Sequence, residues 1–354
     1  VTPLERHLRA VIAAEGPITV ERYMAECLGH PDHGYYFTRD PLGAAGDFVT
    51  APEVSQMFGE LIGLWCADLW DRMGRPDPVQ LVEMGPGRGT LMADALRAAA
   101  ALPGFREAAR LHLIETSPTL RARQADALVD HAPAWHDGIG TIPDGPLLLI
   151  ANELLDALPI RQLLRTADGW RERMVTIEAG RLAFAPGAVP VEAPFFVADA
   201  PTGSLVEQRP AADEIAAAVA ARLLRHGGAA LFLDYGHLES APGETLQAVR
   251  GHAYADVLTD PGEADLTAHV DFTAFARAAR AAGATIHGPA AQAEFLAALG
   301  IGARAEALAR RGGPRRAAEI ETALERLLGP AQMGRLFKAI AFAAPDGPKP
   351  AGLG

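Results

Sequence analysis

Val79-Gln80-Leu81-Val82-Glu83-Met84-Gly85-Pro86-Gly87-Arg88-Gly89-Thr90-Leu91-Met92-Ala93-Asp94-Ala95-Leu96 is the stretch that decides how this chain is read. An apolar run ends in a carboxylate, turns on three alternate glycines and continues as an Ala/Leu-rich segment of helical period, which predicts strand, tight loop and helix. Glycines there let the backbone take positive φ and approach a bound molecule closely. The helix that follows aims its unpaired N–H groups at the same place. A second unit of the same kind comes next. Leu111-His112-Leu113-Ile114-Glu115 is again apolar and ends in an acid, with Ser117 set as N-cap and Pro118 as first helical residue of the next helix. An acid at that strand end, Glu115, is placed to take both ribose hydroxyls of an adenosine.

Spacing narrows what the loop holds. A dinucleotide fingerprint would need its third glycine at position 90, where this chain has Thr90. The acidic-x-Gly-x-Gly-x-Gly pattern of Glu83, Gly85, Gly87 and Gly89 instead resembles motif I of the class I S-adenosylmethionine (SAM) methyltransferases. A hydrolase reading fails for want of a Gly-x-Ser-x-Gly elbow.

Further along, Pro146-Leu147-Leu148-Leu149-Ile150-Ala151 is a continuous apolar strand of the kind buried on both faces. It runs into Asn152-Glu153-Leu154-Leu155-Asp156, polar groups at the carboxyl edge of a central strand, where open α/β sheets place ligands. Asp137, after a short strand near Ala134–His136, is placed to face an adenine amino group. Asp234-Tyr235-Gly236-His237 closes another strand with polar groups. Asp265, Thr267, His269 and Asp271 alternate, so an extended segment would point them to one side. Asp271 also reads as the N-cap of a helix over 272–282.

The chain before the glycine loop predicts two amphipathic helices in residues 1–28, Thr19 capping the second, and a long helix from Ser55 to Met73 that buries Met57, Leu61, Leu64, Trp65 and Leu69. Between them, a segment rich in loop residues carries Asp47, Phe48, Thr50 and Glu53, and is expected to fold over a ligand as a lid. Residues 160–208 alternate and contain a hairpin signal at Ala179-Gly180, hence an antiparallel insertion. Helices over 291–328, a last strand from Met333 to Ala343 and a disordered tail from Pro345 complete the reading. The expected organisation is 1–75 as N-terminal helical region with lid, 76–159 as α/β core, 160–208 as insertion, 209–290 as core continuation, 291–330 as helical insertion, 331–344 as final strand and 345–354 as tail.

Composition bounds the function. Hydrophobic residues make up 49% of the 354 residues and charged ones 21%, enough for a full core. The net charge of −12 disfavours a nucleic-acid surface and fits a partner bearing positive charge. Cys27 and Cys66 are too few for a disulfide framework or zinc site and read as core residues; His30-Pro31-Asp32-His33 reads as a turn, so no metal is expected. No apolar run approaches membrane-spanning length and the first residues lack a signal peptide's core, so the expected address is the cytoplasm or an organelle matrix, without membrane insertion.

Several strings together are similar to one family: Gly46-Asp47-Phe48-Val49-Thr50-Ala51-Pro52-Glu53-Val54-Ser55-Gln56-Met57-Phe58-Gly59-Glu60, the glycine loop, Asn152 to Pro159, Leu233-Asp234-Tyr235-Gly236, Asp265 to Phe272 and Met333 to Lys338. They resemble the MidA-family SAM-dependent methyltransferases, which include a mitochondrial complex I assembly methyltransferase, and the likeness spans nearly the whole chain. The resemblance implies an α/β fold, a doubly wound, mostly parallel seven-stranded class I methyltransferase sheet with an N-terminal helical region and inserted substrate-side elements. It implies SAM as cofactor, with Asp47, Phe48, Thr50, Glu83, Gly85, Gly87, Gly89, Glu115, Thr116, Asp137 and Asn152 about it. It also implies a protein substrate whose arginine is methylated, in the relatives a complex I subunit. A guanidinium is protonated at physiological pH and is a poor nucleophile, so carboxylates must hold it and receive its proton. Asn152, Glu153 and Asp156 are the first candidates for that work, with His269 as proton acceptor and Asp271 as its orienter the second set. An assembly chaperone that binds SAM without turnover, and a small-molecule methyltransferase, remain open alternatives at this point.

Overall fold

A computed structural model describes residues 1–38, 49–192, 197 and 199–354. They form two compact units, each discontinuous in sequence: Val49–Leu154, Glu214–His237 and Ala274–Gly354 make one, and Val1–Phe48, Leu155–Asp213 and Leu238–Thr273 the other.

The first unit is built on seven strands: β1 (Val79–Met84), β2 (Ala109–Ile114), β3 (Ala134–His136), β4 (Leu147–Asn152), β5 (Gly228–His237), β6 (Thr285–Ala291) and β7 (Phe337–Ala343). Their spatial order along the sheet is β3-β2-β1-β4-β5-β7-β6. Neighbours from β3 to β5 are parallel, and β7 runs antiparallel to both β5 and β6. This is the mostly parallel doubly wound sheet expected, and its strand order reverses between β1 and β4, the crevice where such sheets take ligands. β1 and β4 are buried along their whole length, β4 as its apolar run Leu147–Ala151 required and β1 with Gln80 and Glu83 buried among its apolar residues.

Two helices set the glycine loop in place. Helix α1 (Gln56–Arg72) crosses α2 (Thr90–Ala99) so closely that a Cβ on Gly63 would lie 2.1 Å from the Ala95 carbonyl oxygen, and one on Gly59 2.7 Å from Asp94 Cβ. Met57, Phe58, Leu61, Trp65 and Trp70 of α1 are buried in the core with Leu91, Met92 and Leu96 of α2. Leu64, expected on that face, is instead 41% exposed, because the glycines rather than Leu64 line the crossing. The strand expected from Met333 begins only at Phe337, after a helical turn Met333–Leu336. The tail expected to be disordered is held: Leu353 is buried, and Trp65 Nε1 donates to the Ala351 carbonyl at 3.1 Å.

The second unit joins the N-terminal helices Pro3–Glu15 and Val20–Gly29 to an antiparallel sheet ordered Ile18–Thr19, Gly169–Glu178, Arg161–Thr166, Leu205–Gln208, with Arg181–Val191 on Gly169–Glu178. Thr2 and Thr19 cap the two helices through their side chains. Leu4, Leu8 and Ile12 at helical spacing pack with Val20, Tyr23, Met24, Ile160 and Val175. Cys27 belongs to this core, and Cys66 to that of the first unit. A three-stranded antiparallel sheet, Ala253–Ala255, Gln247–Arg250 and Asp265–Thr267, completes the unit. His30–His33 is a turn, its Gly34 N–H donating to the His30 carbonyl at 2.7 Å. Among the described residues no helix is long and apolar enough to cross a membrane.

Candidate functional site

β1 hands over to the loop at Met84, and Gly85, Gly87 and Gly89 take φ of 65°, 54° and 84°, a left-handed run that L side chains resist. A Cβ on Gly85 would also stand 2.8 Å from Leu154 Cδ1, so the loop is packed to its backbone on that side. Gly85 N–H donates to the Ile114 carbonyl at 3.0 Å, tying the loop to the end of β2. Beside it Glu83 is 2% exposed, and its Oε2 has no hydrogen-bond partner. Burial pushes that carboxyl up to about 8.

At the neighbouring strand end, Glu115 Oε1 accepts from Ser117 N–H at 2.8 Å and Oε2 from Gln124 Nε2 at 3.2 Å. Burial raises its pKa against those hydrogen bonds. Gln124 is fully buried on helix α3 (Pro118–Ala127) and also donates to the Gly87 carbonyl at 2.8 Å, while Trp135 Nε1 donates to Gln124 Oε1 at 2.8 Å. One amide therefore bridges the glycine loop and the acid expected to hold a ribose. Nothing local in Arg121-Ala122-Arg123-Gln124-Ala125 distinguishes it, and the sequence reading passed over it. Ser117 caps α3 as expected. Thr116 is exposed, and Asp137 is exposed and paired with Arg121 Nη2 at 2.5 Å; Arg121 Nε in turn donates to the Glu115 carbonyl at 2.7 Å. Glu115 N–H reaches the His136 carbonyl at 3.1 Å, so Glu115, Thr116 and Asp137 share one edge of the sheet.

β4 ends in the third group. Asn152 is buried, its Nδ2 donating to Glu153 Oε1 at 3.0 Å while its Oδ1 has no hydrogen-bond partner. Glu153 is held at φ 51°, an unfavourable conformation for a residue with a side chain. Its Oε1 also accepts from Ala51 N–H at 2.8 Å, fixing the helical turn Ala51–Val54 that Thr50 precedes. Asp234, closing β5, receives Leu154 N–H at 3.1 Å and Tyr235 N–H at 2.9 Å. Asp47 and Phe48 lie outside the described residues.

Asp156, His269 and Asp271 belong to the second unit. Asp156 is 6% exposed and its carbonyl accepts Ala268 N–H at 3.0 Å. Arg209 spreads its guanidinium over four carbonyls, those of Ala268 (2.7 Å), Leu158 (3.1 Å), His269 (3.2 Å) and Asp156 (3.4 Å). That fork joins the loop bearing Asp156 to the loop bearing His269. Tyr36 donates its hydroxyl to Asp265 Oδ1 at 2.9 Å, and its pKa is raised well above the usual phenol by burial and by the Asp265 and Asp156 carboxylates. His269 N–H donates to Thr245 Oγ1 at 2.9 Å, and Asp271 accepts from Ser240 Oγ at 2.5 Å. The strand Asp265–Thr267 ends before His269, so the four alternating residues do not share one extended strand. Tyr36 and Arg209 were missed because their partners lie far along the chain.

A family model described as "Putative S-adenosyl-L-methionine-dependent methyltransferase" matches residues 61–290. The chain belongs to the MidA-like family of SAM-dependent methyltransferases. The methyltransferase is 39% identical to "Protein arginine methyltransferase NDUFAF7, mitochondrial" of Xenopus laevis, over 95% of this chain and 83% of that one. It is 37% identical to the Homo sapiens protein of the same name, over 97% and 83%. Its fold matches the crystal structure of a "likely methyl transferase" from Burkholderia thailandensis bound to S-adenosyl-homocysteine, with TM-score 0.83 and 32% identity, covering 96% of this chain and 91% of that one.

The enzyme uses SAM, and the residues around the glycine loop fit it. The loop glycines hold backbone that L side chains resist, Glu115 is a buried carboxylate at the next strand end, and the buried Glu83 Oε2 and Asn152 Oδ1 are polar atoms that a ligand would satisfy. SAM when bound supplies a methyl group on a positively charged sulfur. The protein's own share is to orient, exclude water and hold a proton.

Proposed function

We propose that the enzyme transfers a methyl group from SAM to an arginine side chain of a protein, and that this protein is a subunit of respiratory complex I. The likeness to relatives named protein arginine methyltransferases, which extends over almost the whole chain and so over both units, carries the reading. Supporting it, a protonated guanidinium needs carboxylates to hold it and take its proton, and each unit offers some: the partly buried Glu153 beside Asn152 in one, and the buried Asp156 and Asp265 around Tyr36 in the other. In this reading Glu83, the three loop glycines, Glu115 with Thr116 and Asp137, Thr50 and Asn152 hold the donor. Glu153 in the one unit, and in the other Asp156 with His269 as proton acceptor and Asp271 as its orienter, are the candidates for holding the guanidinium and taking its proton. The described lid segment enters through Ala51–Val54, and Asp47 and Phe48 are assigned to it from the sequence alone. The reaction site is in the cytoplasm of a bacterium or the mitochondrial matrix, where a nascent complex I subunit is met.

The test is transfer of a labelled methyl group from SAM into lysate protein, followed by mass spectrometry of complex I subunits from cells with and without the enzyme. An arginine methylated only when the enzyme is present is the expected result. Label that appears only in small molecules, or subunits modified equally in both strains, would overturn it.

A further inference from the structure

Gly89 is the N-cap of α2, and a glycine has no side chain with which to satisfy the first N–H groups of the helix. A helix start of this kind, directly after the first strand of an α/β sheet, is where many proteins seat a phosphate or pyrophosphate. In this chain it is attended by a carboxylate from 37 residues earlier, because Thr90, the first residue of α2, donates its hydroxyl to Glu53 Oε1 at 2.7 Å. Glu53 is not on a free segment. It lies on the turn Ala51–Val54, whose Ala51 N–H is held by Glu153 at 2.8 Å. Its charge reaches the next turn of the helix: the Asp94 carboxyl is raised chiefly by burial, with Glu60 and Glu53 adding to the effect.

We propose that Glu53, held in place by Thr90, is the residue that sets cofactor charge selectivity: it occupies the head of α2 with negative charge, disfavouring ligands that carry phosphates and favouring the cationic methyl donor. The glycine loop alone does not choose. Its backbone freedom and helix dipole would serve a pyrophosphate as well as the amino-acid end of SAM. SAM carries an ammonium and a sulfonium against one carboxylate, whereas ADP and NAD bring only negative charge to this end. A fixed carboxylate at the helix head separates them at little cost to the donor. Thr90 thus stands where a dinucleotide fingerprint has glycine and uses its hydroxyl to hold the excluding group. The inference rests on SAM being seated at the glycine loop and is independent of the identity of the methyl acceptor.

The experiment is competition binding on the full chain. S-adenosyl-homocysteine is displaced by adenosine or by ADP in the wild type, Glu53→Gln and Thr90→Val, and the ratio of ADP to adenosine affinity is the readout. Glu53→Gln keeps the size and an acceptor while removing the charge. The ratio should rise by roughly tenfold in Glu53→Gln and by about threefold in Thr90→Val, and the gain should shrink in about 1 M salt. Thr90→Val keeps the test standing should Glu53→Gln fail to fold. A ratio that moves less than about twofold in the variants that fold, or adenosine and ADP affinities that change together, would overturn the assignment. The second outcome would mean that the pocket had changed shape rather than charge.

Discussion

The surroundings of the glycine loop and of Arg209 spend their polar atoms differently, although the second unit also buries Trp170 Nε1 without a partner. Around the glycine loop, Glu83 Oε2 and Asn152 Oδ1 are buried without hydrogen-bond partners, and Gly85, Gly87, Gly89 and Glu153 all hold left-handed backbone. An unmet buried acceptor costs about 1–3 kcal/mol, so this region holds its free-energy deficit in reserve for a ligand that repays it on binding. In the second unit, Arg209 meets four backbone carbonyls and Tyr36 meets Asp265, so the two loops that carry Asp156 and His269 are already cross-braced. The contrast teaches a division of labour. If the first region seats the donor and the second receives the acceptor, as proposed, the unmet acceptors of the one are completed by a small cofactor and the bracing of the other orders it in advance for a large, flexible acceptor.

If that division holds, variants should separate cleanly into those that change SAM affinity and those that change transfer. The largest effect is expected at Gly85→Val, where the added carbons meet Leu154 and the backbone must keep φ near 65°. Calorimetry should show SAM affinity down by roughly a hundredfold or more. Asp156→Asn keeps the shape of the second unit and removes its charge; kcat should fall by about a hundredfold while SAM affinity stays within about threefold. Loss of SAM binding in Asp156→Asn would break the comparison. Arg209→Lys, which keeps the charge but cannot serve four carbonyls, should lower kcat by about tenfold with SAM affinity again unmoved. Gln124→Leu removes the amide shared by Glu115 and Gly87 and should weaken SAM by roughly tenfold.

The smallest effect is a pH dependence of stability in the cofactor-free protein. Folding holds the Glu83 carboxyl at about 8 against an ordinary value of 4.5, so the folded state keeps a proton that the unfolded chain gives up. The stability this contributes is fully present below pH 4.5 and is lost as the pH climbs through 8. By calorimetry the wild type should lose roughly 5 °C of Tm relative to Glu83→Gln between about pH 5 and pH 9. Parallel curves for the two proteins would show that the carboxyl is ionised throughout.

Which parts of this could be seen in the sequence follows from the range of the interactions. The glycine loop and the acid after β2 are legible because strand, turn and helix signals lie within a few residues, and each glycine is required by its own φ. The sheet followed from the same signals repeated. Gln124 was not legible as a site residue and Glu53 was legible only as one polar group of the lid segment, since the partner that gives each a role stands 37 residues away and is chosen by the packing of helices on the sheet. Arg209 is a stronger case, with partners 51 to 60 residues away on two loops. The tail misled for a related reason. Its Pro/Gly composition reads as unstructured, but the buried Leu353 and carbonyls offered to Trp65 and Arg72 hold it. Leu64 misled because a periodic stripe assumes that large side chains make the contact, whereas here two helices meet through glycine.

The backbone of Glu153 has a practical corollary for anyone engineering this enzyme. A glycine would sit at φ 51° without the roughly 1–2 kcal/mol that a side chain costs there, so selection for thermal tolerance alone would drift toward Glu153→Gly. Such a winner would be a sturdier molecule that had discarded the anchor for Ala51. If Glu153 holds the acceptor, as proposed, robustness and catalysis pull in opposite directions at this position, and any screen here has to be scored on turnover.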